Sequence, residues 1–142
     1  MPTRKELQKL ARLRLKEAET LFDNGLYDGC VYLAGYVLEL ALKARICRIL
    51  KVNDYPDSSK DSDIRRTFQT HDFERLQYLA VLELDLQNAD PNLVANWGIV
   101  EKWEPKRRYS PVGTWQKQDA ADVLTALKDK PYGVLTWISR RW

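Results

Sequence analysis

The segment Tyr27–Leu50 constrains the fold more than any other part of this sequence. It reads YDGCVYLAGYVLELALKARICRIL, and projected on a helix it carries apolar side chains around most of its circumference. Only a narrow strip is polar, and it holds Tyr32, Tyr36, Glu39 and Lys43. A helix that is apolar on nearly all sides must be covered by several neighbouring helices, or by these and a second subunit. We therefore predict that this segment is the central helix of the fold.

A first helix precedes the central one. Thr3 and Glu6 have the spacing of a capping box, and Asn24 followed by Gly25 is typical of a helix end. Arg14 projects onto the apolar stripe of this helix, where an unpaired charge would be costly. We expect it to pair with a carboxylate on a neighbouring helix, and Glu39 is the candidate.

Three further helices are predicted after a polar loop. The first of them begins between Asp63 and Asp72 and reaches about Leu86. A short helix begins at Asp90 and Pro91, which are typical of a helix cap and a first turn. The last helix covers about residues 115–128, and Pro131 then kinks it or restarts it. No segment alternates with a period of two for long enough to form a strand. The sequence predicts an all-α fold, an up-and-down four-helix bundle with an additional short helix, as a single domain over residues 1–142.

Composition excludes several classes of protein. Apolar residues make up 44% and charged residues 30% of 142 residues, which is typical of a globular domain. Cys30 and Cys47 lie about 25 Å apart along one helix, too far for a disulfide, and free buried thiols fit a reducing compartment. Residues 30–50 carry four charges, which disfavours a membrane span, and the charged N-terminal segment does not resemble a signal peptide. We expect a soluble cytoplasmic protein with no metal and no cofactor.

Three segments together resemble the HEPN family. They are GLYDGCVYLAGYVLELALKARI at residues 25–46, THDFERLQYL at residues 70–79 and WEPKRRYSP at residues 103–111. The resemblance implies a helical bundle that usually forms a homodimer and works in toxin–antitoxin, defence or nucleotide-linked systems. A nucleotidyltransferase antitoxin is one partner that it suggests. Many members cleave RNA with an arginine and a histidine that have four to six residues between them, while others bind RNA or nucleotides or act as scaffolds.

Arg66 and His71 have the spacing of that ribonuclease pair, with four residues between them. A histidine can take the proton of a ribose 2′-hydroxyl, and an arginine can stabilise the charge that develops on the phosphate, so no metal is needed. Family members that cleave RNA generally carry the pair just before the last helix, where no histidine follows Arg107 or Arg108 here. His71 is therefore either a catalytic residue or a structural one at the start of a helix.

Two further groups are candidate binding residues. Tyr32, Tyr36, Glu39 and Lys43 could hold a nucleotide by stacking and charge, or else Glu39 and Lys43 form an ordinary ion pair on the one solvated strip of a buried helix. The second group is basic and could contact phosphates, or it could simply be a solvated surface. It comprises Arg107, Arg108 and Tyr109, with Lys5, Lys9, Arg12, Lys16, Lys106, Arg140 and Arg141.

Two hypotheses for function follow. The first is a HEPN-like module that binds RNA, a nucleotide or a partner protein without catalysis. The second is a metal-independent endoribonuclease that uses Arg66 and His71. A purely structural dimerisation domain is a third interpretation. All five tryptophans lie in the last third of the chain, where they are expected to fill the core or an interface, with base stacking as the functional alternative.

Overall fold

A computed structural model describes residues 2–142, which are about 70% helical. The α-helices are α1 (Arg4–Asp23), α2 (Tyr27–Leu50), α3 (Ser62–Phe68), α4 (Phe73–Leu79), α5 (Glu83–Gln87), α6 (Pro91–Glu101), α7 (Lys117–Lys128) and α8 (Val134–Ile138). Two 3-10 helices cover Pro56–Ser58 and Pro105–Tyr109. Within residues 2–142 the only extended pairing is a single bridge between Thr3 and Asp54. The predicted all-α helical bundle is confirmed.

Helix α2 lies at the centre of the bundle, as the sequence predicts. Half of its 24 residues are buried, and they point in every direction around its axis. Helices α1, α4, α6, α7 and α8 all pack against it. α1 covers α2 over the longest stretch, because the two helices are joined by a tight turn in which Gly25 has a φ of +73°. Glycine adopts this left-handed conformation without a steric penalty.

The first helix begins as predicted, but the partner predicted for Arg14 is wrong. The Thr3 side chain accepts a hydrogen bond from the Glu6 amide at 3.2 Å, and the Glu6 carboxylate accepts one from the Thr3 amide at 2.6 Å. Arg14 donates to both carboxylate oxygens of Glu17, one turn further along α1, rather than to Glu39. Arg14 sits at the edge of the apolar stripe and stays partly exposed, so a partner on its own helix is within reach.

The single long helix predicted to reach Leu86 is three short helices, α3, α4 and α5. The Tyr55 hydroxyl donates to the Phe68 carbonyl at the end of α3, and the Asp72 side chain caps α4 by accepting from the Arg75 amide. Val81, between α4 and α5, has a φ of +55°. This left-handed conformation does not occur inside a right-handed α-helix, so the helix must end there. These local hydrogen bonds and the turn at Val81 break the helical pattern twice.

The remaining boundaries lie close to their predicted positions. Asp90 caps α6 with Pro91 as its first residue, and the last long helix begins at Lys117. After Pro131 the chain restarts as α8. Among residues 2–142, no helix has both the length and the apolar composition that a bilayer span requires.

Buried cysteines and tryptophans fill much of the core. Cys30 and Cys47 are free and buried, and burial raises the pKa of each thiol to about 11, so both stay protonated at neutral pH. Four of the five tryptophans are buried. The main-chain oxygen of the buried Trp142 accepts a hydrogen bond from Arg4 at 2.8 Å. The core interpretation of the tryptophans therefore holds for most of them.

Candidate functional site

Trp103 attaches the chain that follows α6 to the middle of α2. Its indole ring lies directly on Gly35, where a Cβ atom would overlap Cγ, Cδ1 and Cδ2 of the ring. Its Nε1 donates a hydrogen bond of 2.9 Å to the Tyr32 carbonyl. Because Gly35 has no side chain, the indole approaches the helix backbone more closely than any other residue there would permit. This contact fixes the position of the 3-10 helix Pro105–Tyr109 relative to α2.

The two tyrosines of α2 pack around this indole. The Tyr36 ring meets the Trp103 ring edge-on with centroids 4.7 Å apart, and the Tyr32 and Tyr36 hydroxyls are 3.0 Å apart. Burial, reinforced by the hydrogen bond to Tyr32, raises the pKa of Tyr36 to about 12. The Tyr36 hydroxyl is therefore neutral at physiological pH and available as a hydrogen-bond donor or acceptor.

The 3-10 helix Pro105–Tyr109 brings an arginine and a third tyrosine next to them. The Arg108 guanidinium lies 4.8 Å from the centroid of the Tyr109 ring, and Tyr109 is 77% exposed to solvent. The neighbouring Tyr109, and after it Tyr32, raise the pKa of Arg108, while the charge of Arg108 acts to lower the pKa of Tyr36. Arg108 thus lies near the tyrosines of α2, and the Tyr109 ring lies next to its guanidinium.

Four of the seven candidate binding residues therefore share one surface, although the chain separates them by more than 70 positions. We call this set, Tyr32, Tyr36, Arg108 and Tyr109, the tyrosine–arginine surface. Arg107 is directed elsewhere, since its guanidinium stacks on the Trp115 ring at 4.3 Å and donates to the Lys102 carbonyl. Burial lowers the pKa of Arg107. Its contacts give it a packing role.

Glu39 and Lys43 lie further along the same face of α2, where the strip is covered rather than solvated. Only 3% of Glu39 is exposed. One of its carboxylate oxygens accepts from Lys43 Nζ at 2.8 Å, and the other lies 2.8 Å from His71 Nδ1. The predicted ion pair is present, but the prediction of a solvated strip is wrong, because the start of α4 and the buried Tyr55 cover this part of α2.

His71 keeps part of its ring in solvent despite this contact. Its side chain is 55% exposed, and the next residue, Asp72, caps α4. If the Glu39 carboxylate is ionised, Nδ1 of a neutral His71 must carry the proton, which leaves Nε2 as a hydrogen-bond acceptor. Arg66 lies exposed on α3, and among the described residues no hydrogen bond or ion pair links it to His71.

His71 borders a cleft of about 550 Å³ between the start of α4 and the end of α6. Phe73 and Trp103 form the apolar part of its lining. The charged residues that line it are Asp72, Glu74, Glu101, Glu104 and Lys106. Four carboxylates against one lysine give the cleft a negative potential, which repels the phosphates of RNA. In the part of the chain that the structure describes, these carboxylates do not converge into a metal-binding group.

Sequence reasoning missed this acidic cleft and the role of Trp103. The four carboxylates come from segments about 30 residues apart, and the fold brings them together where the Phe73 and Trp103 rings meet, 5.7 Å apart. One signal for the Trp103 contact was present: Gly35 interrupts an otherwise apolar helix interior, where glycine is unfavourable unless another group approaches closely.

The fold and this surface together define a small helical-bundle domain whose central helix carries the candidate site. A match to the family described as the HEPN domain covers residues 5–128, from α1 to the end of α7. The chain therefore belongs to the HEPN family, and the resemblance noted in its sequence is confirmed. Comparison with curated proteins and with solved structures gave no match.

Proposed function

We propose that this protein is a non-catalytic HEPN module that binds single-stranded RNA on the tyrosine–arginine surface. The observation that carries the proposal is the position of Arg108, a cation that lies over the exposed Tyr109 ring and close enough to Tyr32 and Tyr36 to interact electrostatically with both. Membership of the HEPN family, which supports a nucleotide- or RNA-related role, agrees with it.

The chemistry of this surface suits an unpaired nucleotide. An exposed aromatic ring can stack on any base, and one such contact contributes about 1–3 kcal/mol. The Arg108 guanidinium can pair with a phosphate, and neutral tyrosine hydroxyls can hydrogen-bond to base edges or to a ribose 2′-hydroxyl. The surface offers all three kinds of group.

Substitution on this surface should weaken RNA binding. Tyr109→Ala removes the stacking ring and Arg108→Ala removes the phosphate partner, and we expect each to weaken the binding of a labelled single-stranded RNA by about tenfold. Tyr109→Phe keeps the ring and should bind nearly as well as the parent protein. Fluorescence anisotropy at low salt provides the measurement.

Arg75→Ala is the matched control, because it removes the same charge from an exposed position on α4. We expect it to change RNA affinity by less than about twofold. Equal losses in Arg75→Ala and Arg108→Ala would show that RNA senses only the net charge, and full binding by Tyr109→Ala would exclude stacking on this ring.

A metal-independent endoribonuclease that uses Arg66 and His71 is the second candidate. The contact that favours it is the hydrogen bond between His71 Nδ1 and the buried Glu39, which orients the ring and leaves Nε2 for proton transfer. Two copies in a dimer could supply one histidine as base and one as acid. The acidic cleft beside His71 and the lack of a bond between Arg66 and His71 among the described residues count against it.

A cleavage assay separates the two candidates. We expect purified protein to leave total RNA intact over several hours, with or without EDTA, because the carboxylates around His71 repel the phosphate that would have to approach it. His71→Ala, purified in the same way, controls for a contaminating nuclease. RNA cleavage that persists in EDTA and is lost in His71→Ala would replace the binding proposal with the ribonuclease one.

We further propose that the module works as a homodimer in the cytoplasm, in a toxin–antitoxin or defence system beside a nucleotidyltransferase antitoxin. Family membership supports dimerisation. An apolar groove of about 460 Å³ on α1 and α2, lined by Leu13, Leu21 and Leu33, supports a protein contact there.

Free buried cysteines suit a reducing compartment. Light scattering that returned the monomer mass of 16.6 kDa at micromolar concentration would exclude the dimer.

A further inference from the structure

Three large apolar side chains are exposed within seven consecutive residues, where α4 ends and α5 begins. Tyr78, Val81 and Leu84 are between 61% and 68% exposed. Three residues span at most about 10 Å of chain, so all three side chains lie within reach of one docked helix of a few turns. Exposed apolar side chains that are scattered singly need no explanation, whereas a local concentration of them is typical of a binding surface.

The turn that carries these side chains is held firmly in the fold. Ala80 and Leu82, on either side of Val81, are completely buried. The Arg45 guanidinium on α2 donates a hydrogen bond of 3.3 Å from Nε to the Ala80 carbonyl. Because both neighbours of Val81 are anchored, its side chain cannot turn inward without disrupting this packing. The fold therefore keeps Val81 in solvent.

Val81 also occupies a backbone conformation that disfavours it. Its φ of +55° lies in the left-handed region, where a β-branched side chain is strained and glycine is not. Backbone strain of this kind is found mostly at positions that have a function. An exposed valine contributes little to the core, so its methyl groups are available for contact with another molecule.

Acidic side chains accompany the exposed apolar ones. Glu74 lies one turn before Tyr78 on α4, and Glu83 precedes Leu84 on α5. Both carboxylates are on exposed residues, and within residues 2–142 neither forms an ion pair. Residues 71–104 carry seven acidic and two basic side chains, a net charge of −5, whereas the whole chain carries +3. Negative charge is thus concentrated in the segment that exposes the apolar residues.

The acidic cleft beside His71 adjoins these residues. Glu74 and Glu101 line the cleft, and the side chain of Gln77, which precedes Tyr78, donates a hydrogen bond of 3.4 Å to Glu101. At about 550 Å³ the cleft has room for the long side chain of a lysine or an arginine. We call the following set the apolar–acidic surface: Tyr78, Val81 and Leu84 with Glu74, Glu83 and Glu101.

We propose that the apolar–acidic surface docks a basic amphipathic helix of a different protein. The apolar face of such a helix covers Tyr78, Val81 and Leu84, and its lysine or arginine side chains face the carboxylates. Charge complementarity favours this occupant, because carboxylates repel an acidic helix and also repel the phosphates of RNA. The contact is independent of the RNA binding proposed above.

A synthetic helical peptide made only of leucine and lysine, with leucine at helical spacing, is the probe for this surface. We expect calorimetry at low ionic strength to show that it binds the full chain, and amide chemical shifts to change mainly in residues 72–86 and 99–104. The same peptide with glutamate in place of lysine should not bind detectably. Equal binding of the two peptides, no binding of the lysine peptide, or shifts concentrated elsewhere would overturn the proposal.

Val81→Gly removes an exposed apolar side chain and relieves the backbone strain at the same time. We expect it to weaken binding of the lysine peptide by about three- to tenfold, because an apolar contact is lost. It should also raise the melting temperature by about 2–4 °C, so the loss of binding cannot arise from unfolding. Val112→Ala is the matched control, because Val112 is wholly exposed outside this surface, and it should change the affinity by less than about twofold.

Glu74→Gln tests the charges of the surface. We expect it to weaken binding of the lysine peptide by about threefold at low salt, and by less as the salt concentration is raised. Asp122→Asn removes one exposed carboxylate from α7 and is its control. Equal weakening by these two variants, or unchanged affinity in Val81→Gly, would contradict the proposal.

Two further measurements on Val81→Gly separate this surface from other interactions of the protein. Its affinity for single-stranded RNA should equal that of the parent protein, so this proposal and the RNA-binding one can fail separately. Its mass in light scattering should also be unchanged. A lower mass than that of the parent protein would overturn the proposal and identify the surface as a contact between two copies of this chain.

Discussion

Gly35→Ala is expected to destabilise the protein by about 3 kcal/mol, because the added methyl group would occupy the position of the Trp103 ring. The overlapping atoms lie at the root of the indole, so rotation of its far end cannot remove the overlap. Moving α2 and the ring apart costs about 1–3 kcal/mol as overpacking, and expelling the indole costs about 3–5 kcal/mol. Urea unfolding followed by circular dichroism and tryptophan fluorescence measures the loss.

Gly98→Ala provides the control on α6. A Cβ atom at Gly98 would meet nothing within 4 Å, and alanine is favoured over glycine in a helix by up to about 1 kcal/mol. Stability should therefore stay the same or increase. Because Trp103 positions the segment with Arg108 and Tyr109, Gly35→Ala should also weaken RNA binding, whereas Gly98→Ala should not. Unchanged stability in Gly35→Ala would mean that the indole does not rest on α2 as described.

Features that depend on neighbouring residues were predictable from the sequence. The Thr3 and Glu6 capping box, the turn at Gly25 and the start of α6 each involve groups within a few positions of one another. The central position of α2 was also predictable, since an apolar surface on every side admits only an enclosed helix. Local chemistry and overall apolar pattern thus account for the fold class.

Contacts between distant segments were not predictable in the same way. Arg14 had two carboxylates available in principle, and the one on its own helix requires less ordering of the chain. The burial of Glu39 depends on where α4 begins, which the helical pattern misplaced. Arg108 lies near Tyr32 because the Trp103 ring packs on Gly35, and no pattern in a single sequence specifies that Trp103 and Gly35 are in contact.

Glu39→Ala is expected to cost about 3–5 kcal/mol of stability, the second large effect that the structure implies. The carboxylate is buried and holds Lys43, whose side chain is only 13% exposed. Its removal leaves an ammonium group in a poorly solvated position without a partner. His71, which is more than half exposed, contributes little to this loss, because solvent screens its share of the interaction. Chemical denaturation measures the change.

Glu17→Ala is the matched control, since it breaks the ion pair between Arg14 and Glu17, whose side chains are 33% and 40% exposed. This substitution should lower the free energy of unfolding by no more than about 0.5 kcal/mol, because solvent screens the pair. A second comparison isolates the buried pair. Replacing Glu39 and Lys43 together by methionine should destabilise the protein less than Glu39→Met alone, because no unpaired charge remains. If the single and double variants were equally unstable, the loss would come from packing around Glu39, and its carboxylate would not be the group that stabilises Lys43 inside the bundle.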